Sequence, residues 1–337
     1  MKAVIFGVTG QDGSYLSEFL LEKGYKVVGV SRRASTDNTE RLKGVLDNPQ
    51  FKFMEGDVTD YISVSRIIND TQPDEVYNLA AQSHVQTSFN EPIHTWRTDA
   101  EGPLNILESV RRHALKAKFY QASTSEMFGK TIDSDGYQRE TTVLSPQSPY
   151  AIAKVAAHHK VGLYRDAYGI FACSGILFNH ESERRGAKFV SRKITKWVAE
   201  FKHWLDSGGG NEEFPKLRLG NLDAARDWGY APDYVEAMWM MMQEEKPDDF
   251  VIATGISRTV RDFLRMSFSY IDIEDWEKYV IIDPKFYRDA EVKFLHGDAN
   301  KAKEKLGWMP KTPLSEMVNR MIDADIKILQ CSNPIPS

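Results

Sequence analysis

The sequence predicts an α/β fold, a parallel sheet covered by helices on both faces, and three observations carry that prediction. Short apolar runs recur over residues 1–178: "AVIFG", "KVVGV", "FKFMEGD", "EVYNLAA", "KFYQAST" and "IFACSGILF". Runs of that length and make-up suit strands buried on both faces. Helix-patterned stretches lie between them, and this alternation is the mark of a doubly wound sheet. The turn joining the first strand to the first helix pattern, "GVTGQDG", is rich in glycine.

Taken in order, "AVIFG" (Ala3–Gly7) is the first strand, and "YLSEFLLEKG" a helix that stops at Gly24. Strand and helix then alternate to residue 178. Beyond about residue 180 the alternation weakens. "FVSRKITKWVAEFKHWL" reads as an amphipathic helix and "DSGGGNEEFP" (Asp206–Pro215) as an exposed loop. "DYVEAMWMMMQEE" is a further helix whose methionines read as core filler. Short helices follow at "TVRDFLRMSF" and "LSEMVNRMIDADIKIL". The expected architecture is a Rossmann-type doubly wound parallel sheet over residues 1–178. A smaller C-terminal α/β substrate-binding lobe follows over residues 179–330, with some segments returning to the first domain.

The chain has 337 residues, enough for one large domain or two unequal lobes. With 42% apolar and 27% charged residues it reads as soluble and globular. A formal charge of −5 speaks against a nucleic-acid partner, though local basic clusters can still grip phosphates. Cys173 and Cys331 have no metal-ligand spacing and form no disulfide framework, so a reducing, cytoplasmic setting is expected. No apolar run approaches a membrane span, and the N-terminus opens directly into the first strand, which argues against an export signal.

Gly7, Gly10 and Gly13 give the spacing G-x-x-G-x-x-G. Glycine allows a tight turn and close approach of backbone to a pyrophosphate, and a helix N-terminus favours anions. A plain glycine-rich turn is the alternative. At the end of the second strand, where an NAD site places a carboxylate, stands "SRRAS", with Arg32 and Arg33 flanked by Ser31 and Ser35. Two guanidiniums suit a 2′-phosphate, which favours NADP over NAD; solvated surface arginines are the alternative. Asp57, in "GDVTD", stands where an adenine amino group could lie, and "NLAAQS" (Asn78–Ser83) keeps the end of the fourth strand small.

Tyr150 and Lys154, four apart in "YAIAK", share one face of a helix. By spacing alone the pair is either a solvated helix face or a proton-transfer device. "QASTSEMFG" places Thr124 at the end of the fifth strand, where doubly wound sheets carry their chemistry. A cation beside a phenol stabilises the phenolate. Glu126 adds a carboxylate suited to a second proton transfer; a capping or salt-bridged glutamate is its bland reading.

The glycine loop with Thr124, Tyr150 and Lys154 resembles the short-chain dehydrogenases/reductases in their extended form. The longer stretches "TGQDGSYL", "NLAAQSHVQTSF", "SPYAIAK", "GILFNHESERRG", "RKIT", "LGNLDAARDWGYAPDYVEAMW" and "DFVIATG" are similar to the GDP-mannose 4,6-dehydratase family over nearly the whole chain. The resemblance implies a hydro-lyase that turns GDP-mannose into GDP-4-dehydro-6-deoxymannose by internal hydride transfer through NADP, a first step toward GDP-fucose and other GDP-deoxyhexoses. It implies catalytic roles for Thr124, Glu126, Tyr150 and Lys154. Gly7, Val8, Thr9, Gly10, Gln11 and Asp12 would hold the pyrophosphate, and Arg32, Arg33 and Ser35 the 2′-phosphate. Asp57 and Val58 would line the adenine side; Leu79, Ala80, Ala81, Gln82 and Ser83 the nicotinamide side. Lys154 would hold the ribose, with His180 and Arg185 completing the cofactor pocket. For the sugar nucleotide it implies Ser83, Ser125, Asn179, Val190, Lys193, Arg218, Arg226, Arg288 and Glu291.

Some positions depart from the family pattern. Trp96 stands where a tyrosine often contacts the cofactor, and Glu183 replaces a proline, placing a carboxylate near Arg185. Arg218 replaces a neutral residue, and the segment around "DSGGGNEEFPK" also differs. The polar segment Arg32–Leu42 is either a surface loop or an arm reaching a neighbouring subunit, the basis for expecting a homo-tetramer or homo-dimer. The alternatives to the dehydratase are a nucleotide-sugar epimerase or reductase of the same fold, which would leave Glu126 idle, and a non-catalytic NADP-binding regulator.

Overall fold

The computed structural model describes residues 1–209, 213–287, 292 and 294–332. The first part alternates as β1 (Lys2–Phe6), α1 (Gln11–Glu22), β2 (Lys26–Ser31), β3 (Phe51–Glu55), α2 (Tyr61–Thr71), β4 (Glu75–Asn78), α3 (Val85–Asn90), α4 (Pro92–Trp96), α5 (Gly102–His113), β5 (Lys118–Thr124), α6 (Pro149–Tyr168) and β6 (Ala172–Leu177). There follow β7 (Asn179–Glu181), α7 (Val190–Asp206), β8 (Leu217–Leu219), β9 (Ala225–Tyr230), α8 (Ala231–Gln243), β10 (Phe250–Ile252), β11 (Ser257–Thr259), α9 (Val260–Ser269), β12 (Val280–Ile282), α10 (Asn300–Leu306) and α11 (Leu314–Ser332).

The main sheet has seven strands in the order β10-β6-β5-β4-β1-β2-β3. Every pairing in it is parallel. The two-residue period of β1 shows why its run is apolar throughout. Ala3 and Ile5 pack with Leu16 and Leu20 of α1 and Met238, Met241 and Met242 of α8. Val4 and Phe6 meet Val64, Ile67 and Ile68 of α2 and Ile106, Leu107 and Val110 of α5 on the other face. The methionine run of α8 is therefore core, and β10 closes one edge of the sheet from late in the chain. A further core joins α7, α9 and α11 through Trp197, Phe201, Phe263, Phe268, Met317 and Ile322. Beside it run β11-β9-β7 and the pair β12-β8, whose three-residue strands carry no readable period. Among the described residues no helix is long and apolar enough to cross a membrane.

Strand order reverses at β1, which lies between β2 and β4, and such a switch point opens a crevice at the carboxyl ends of the strands. The turn after β1 must pass close to the end of β4. Gly7 has φ +84°, and a Cβ on it would sit 2.6 Å from the Ala80 nitrogen. The site's main helix is equally specified. Ser148 caps α6 by accepting the Ala151 N–H at 3.1 Å, Pro149 occupies its first turn, and Gly169 ends it at φ +64°. That start places Tyr150 within the first turn of α6.

Gly7→Ala combines a positive φ with a backbone clash. It is expected to lower stability by about 1–3 kcal/mol, read from the urea midpoint; an unchanged midpoint would contradict the close-approach argument.

Candidate functional site

A cleft of about 1250 Å³ opens at the carboxyl ends of β1, β2, β4, β5 and β6. That exceeds the roughly 300–1,000 Å³ of a common single-ligand pocket. At its centre, β5 delivers Thr124, whose hydroxyl accepts the Glu126 N–H at 3.3 Å and so starts a one-turn 3₁₀ helix, Ser125–Phe128. α6 brings in Tyr150 and Lys154 from the opposite side. Lys154 Nζ donates to the Ala122 carbonyl at 2.9 Å and lies 5.8 Å from the Tyr150 ring centroid. Thr124, Tyr150 and Lys154 are buried, Glu126 is half-buried, and all four line the cleft.

Burial raises the Tyr150 phenol well above its ordinary range, and the negative charge of Asp99 raises it further. A hydrogen bond with Thr124 pulls it back, Glu126 pushes up, and Arg185 pulls down. The cation among these leading influences is thus Arg185 rather than Lys154. Lys154 is itself lowered by burial, while Asp99 holds it up. The spacing-based expectation of a phenol made acidic by its helix neighbour therefore needs amending: in the free protein Lys154 bonds a carbonyl and faces a carboxylate, and the phenol is raised rather than lowered.

At the glycine turn, Gly7, Thr9, Gly10, Gln11 and Asp12 line the cleft, and α1 starts at Gly10 with no side-chain cap. Val8 is the exception. Its side chain is fully buried in the core beneath the turn, so only its backbone is near the cleft. Asp12 Oδ2 lies 2.9 Å from His180 Nε2, and His180 Nδ1 lies 2.8 Å from the Phe178 carbonyl. Both ring nitrogens face acceptors, which an imidazolium satisfies. Burial opposes the charge on each partner. The pairing overrides it: His180 is raised and Asp12 lowered. Arg185 sits 2.8 Å from Glu181 as an ion pair, its Nε–H off the hydrogen-bonding line. Glu183 does not bear on Arg185 as expected. Its carboxylate accepts from the Tyr15 hydroxyl at 2.9 Å and the Tyr230 hydroxyl at 3.1 Å.

Arg32, Asp57, Val58, Leu79, Ala80, Ala81, Gln82 and Ser83 also line the cleft. Arg33 and Ser35 are exposed outside it, because the chain turns away after β2. The second guanidinium at this end is Arg41, which sequence reasoning missed. It donates to the Arg184 carbonyl at 2.9 Å and the Thr9 carbonyl at 3.3 Å. Trp96 lies outside the cleft on the exposed side of α4, with the Lys160 ammonium 5.9 Å from its ring. Toward the other end, Ser125, Asn179, Val190, Lys193 and Arg226 line the cleft. Arg218 points outward to Asp283 at 3.5 Å. Arg288 and Glu291 lie outside the described residues; Lys285, Phe286 and Tyr287, just before them, line the cleft. Lys188 and, at the Arg41 end, Arg184 also line the cleft, both unanticipated. Arginine and lysine outnumber carboxylates around this cavity although the chain carries a formal −5, which suits it to anionic ligands.

The family model described as GDP-mannose 4,6 dehydratase matches residues 4–321. A relative from Arabidopsis thaliana, GDP-mannose 4,6 dehydratase 1, is 50% identical over 97% of this chain and 90% of its own length. The Homo sapiens GDP-mannose 4,6 dehydratase is 48% identical over 98% of this chain and 93% of its own. Among solved structures, a UDP-glucose 4-epimerase of Thermotoga maritima with UDP-glucose superposes with a TM-score of 0.85 at 26% identity, covering 98% of this chain and 100% of that one.

The Asp12–His180 pair has a defined pH window. A raised His180 contributes stability that is full below its unfolded pKa and lost as pH rises through the folded value; a lowered Asp12 contributes above its unfolded pKa and is lost as pH falls through the folded one. In Asp12→Asn the His180 titration, followed by NMR of the ring protons, is expected to fall from above to below about 6.5, since burial and Arg185 are then opposed only by the Phe178 carbonyl. An unmoved midpoint would show that the carboxylate does not hold the imidazolium.

Proposed function

The chain belongs to the GDP-mannose 4,6 dehydratase family, and on that premise we propose that it removes water from GDP-mannose to give GDP-4-dehydro-6-deoxymannose, with NADP as its cofactor. The observation that carries the reading is Glu126, a carboxylate in the cleft two residues from Thr124 and electrostatically coupled to Tyr150. An epimerase or a simple reductase has no use for it.

The residues present fit a dinucleotide. The glycine turn leaves no room for a Cβ at Gly7, and the uncapped start of α1 is open to an anion. Gly7 and Thr9 to Asp12 would hold the diphosphate, Arg32 with Arg41 a 2′-phosphate, and Lys154 the ribose beside the ring. The nicotinamide so held would supply hydride acceptor and donor chemistry for C4 and C6 of the hexose. For the sugar nucleotide, Lys193 and Arg226 provide cations for its diphosphate, and Ser83 and Ser125 hydroxyls for the hexose. The exposed run Arg32–Asp37 beside the cleft supports a homo-tetramer or homo-dimer in which this segment reaches a neighbour.

Tyr150, as the phenolate, takes the proton from the sugar O4, and Thr124 hydrogen-bonds the same oxygen. The 4-ketone so formed acidifies the C5 hydrogen. Glu126 removes that proton and then, as its conjugate acid, protonates the departing C6 hydroxyl. Tyr150 finally returns a proton to C5, which leaves both side chains as they began. Burial of Thr124, Tyr150 and Lys154 keeps bulk water from exchanging these protons between steps.

Glu126→Gln is expected to bind NADP and substrate normally yet form dehydrated product at least roughly 10²-fold more slowly, measured by mass spectrometry of GDP-mannose incubations; near-normal turnover would remove Glu126 from this role. Arg32→Ala is expected to weaken NADP binding about tenfold and leave NAD binding unchanged, since one charge-assisted contact is lost. Calorimetric titration with both cofactors reads this, and an equal effect on the two would sink the 2′-phosphate assignment.

A further inference from the structure

One buried carboxylate at the site takes no part in these steps. Asp99 lies in a single π turn, Arg97–Glu101, between α4 and α5. Such turns recur at functional sites, where the extra residue re-aims a side chain. This one packs against α6. Asp99 is fully buried. Its Oδ1 accepts the Gln82 N–H at 2.7 Å, from the segment after β4 that lines the cleft. Its Oδ2 receives no hydrogen bond from any described group. An ionised carboxylate in that position requires a nearby cation, and the cation acting on it is Lys154. The coupling runs both ways and extends to Tyr150, for which Asp99 is the leading charged influence.

We propose that Asp99 is the positioning residue of the proton-transfer pair: it is the counter-charge of Lys154, and the charge it carries sets how readily the Tyr150 phenol ionises. The proposal rests on the reading of Tyr150 as the proton carrier. With Asp99 ionised, its charge cancels Lys154 and disfavours the phenolate. With Asp99 protonated, its repulsion of the phenolate is gone and the phenol becomes more acidic. Burial pushes the Asp99 carboxyl up to about 7, with the Lys154 charge and the Gln82 N–H pulling it back. The two charge states therefore exchange near neutral pH.

The other charged groups around the turn are placed to matter less. On its own element, Arg97 and Glu101 are exposed. From α6, Lys160 donates to the neighbouring Ala100 carbonyl at 2.8 Å. From α4, His94 lines the cleft, as does His84 at the start of α3. The first charged residue of α5 is Glu108, bound to Arg111 and Tyr164.

Asp99→Asn keeps the shape and an acceptor for the Gln82 N–H while removing the charge. Its kcat/KM profile with GDP-mannose is expected to carry an acid limb moved about one pH unit downward, because the phenol loses a negative neighbour. A second readout needs no turnover. A carboxyl raised on folding contributes stability that is full below its unfolded pKa and lost as pH rises through about 7. The melting temperature of the variant, relative to the unmodified chain, should therefore climb by at least about 2 °C between roughly pH 5 and 8. A purely structural role would shift melting equally at every pH and leave the limb in place, and that result overturns the proposal. Should the variant fail to fold, carboxyl ¹³C NMR of the unmodified, aspartate-labelled chain still decides: an aspartate titrating near neutral pH is required, and its absence overturns the idea. If GDP-mannose is not dehydrated by the unmodified chain, the function assigned above fails, while the melting and NMR results still judge Asp99.

Discussion

The hydrogen bond from Lys154 Nζ to the Ala122 carbonyl, 2.9 Å long and buried, ties α6 to the end of β5. Most of the site is placed by that junction. The two residues after Ala122 bring the chain to Thr124, and the helix turn before Lys154 carries Tyr150. An ammonium in such a place cannot remain without acceptors, so the contact constrains both elements at once. It also explains why α6 starts where it does: the Ser148 cap and Pro149 fix the first turn, and Tyr150 has no slack in which to move. The helix then runs to Gly169 and buries its inner face against β5 and β6.

The cleft separates its charges by function. Its floor, at the ends of β5 and α6, holds the half-buried Glu126 together with the buried Tyr150 phenol and Lys154 ammonium, with Asp99 buried behind it. Its two ends are basic, with Arg32, Arg41 and Arg184 at one and Lys193, Arg226 and Lys285 at the other. In the proposed reading, anions held at both ends would leave the uncharged middle of a ligand over Tyr150 and Glu126. Asp12, a carboxylate at the uncapped start of α1, looks misplaced until His180 is counted; the paired imidazole, raised toward its charged form, offsets it locally.

Much of this was legible in the sequence, and the parts that were not share a cause. Strand runs, the glycine turn and the Tyr150–Lys154 face follow from local periodicity, which the backbone obeys wherever the chain is buried. The core role of Met238, Met241 and Met242 was equally readable, since an apolar run in a helix that covers a sheet has nowhere else to go. Direction at the end of a strand is another matter. Val8 turns under its loop while Thr9 turns into the cleft, and Arg33 turns out while Arg32 turns in. Position along the chain cannot distinguish these, because the turn sets the outcome. Long-range partners were also hidden. Glu183 is held by Tyr15 and Tyr230, from elements remote in sequence, so its nearness to Arg185 in the chain misled. Arg41, Arg184, Lys188 and Lys285 reach the cleft from segments with no motif of their own, and Asp99 sits in "RTDAE", where nothing local signals burial.

In the proposed chemistry Thr124 would link the two proton transfers. Its hydroxyl caps the 3₁₀ turn through the Glu126 N–H and acts electrostatically on the Tyr150 phenol. A hydroxyl can accept and donate together, which a methyl or an amide in that space could not do in the same geometry. In the proposed chemistry, the carboxylate assigned to C5 and the phenol assigned to O4 would thus be registered to one another through a single side chain at the end of β5. Two adjacent carbons of one hexose would be served by two groups from different elements, so a common reference point is what that sequence of transfers demands.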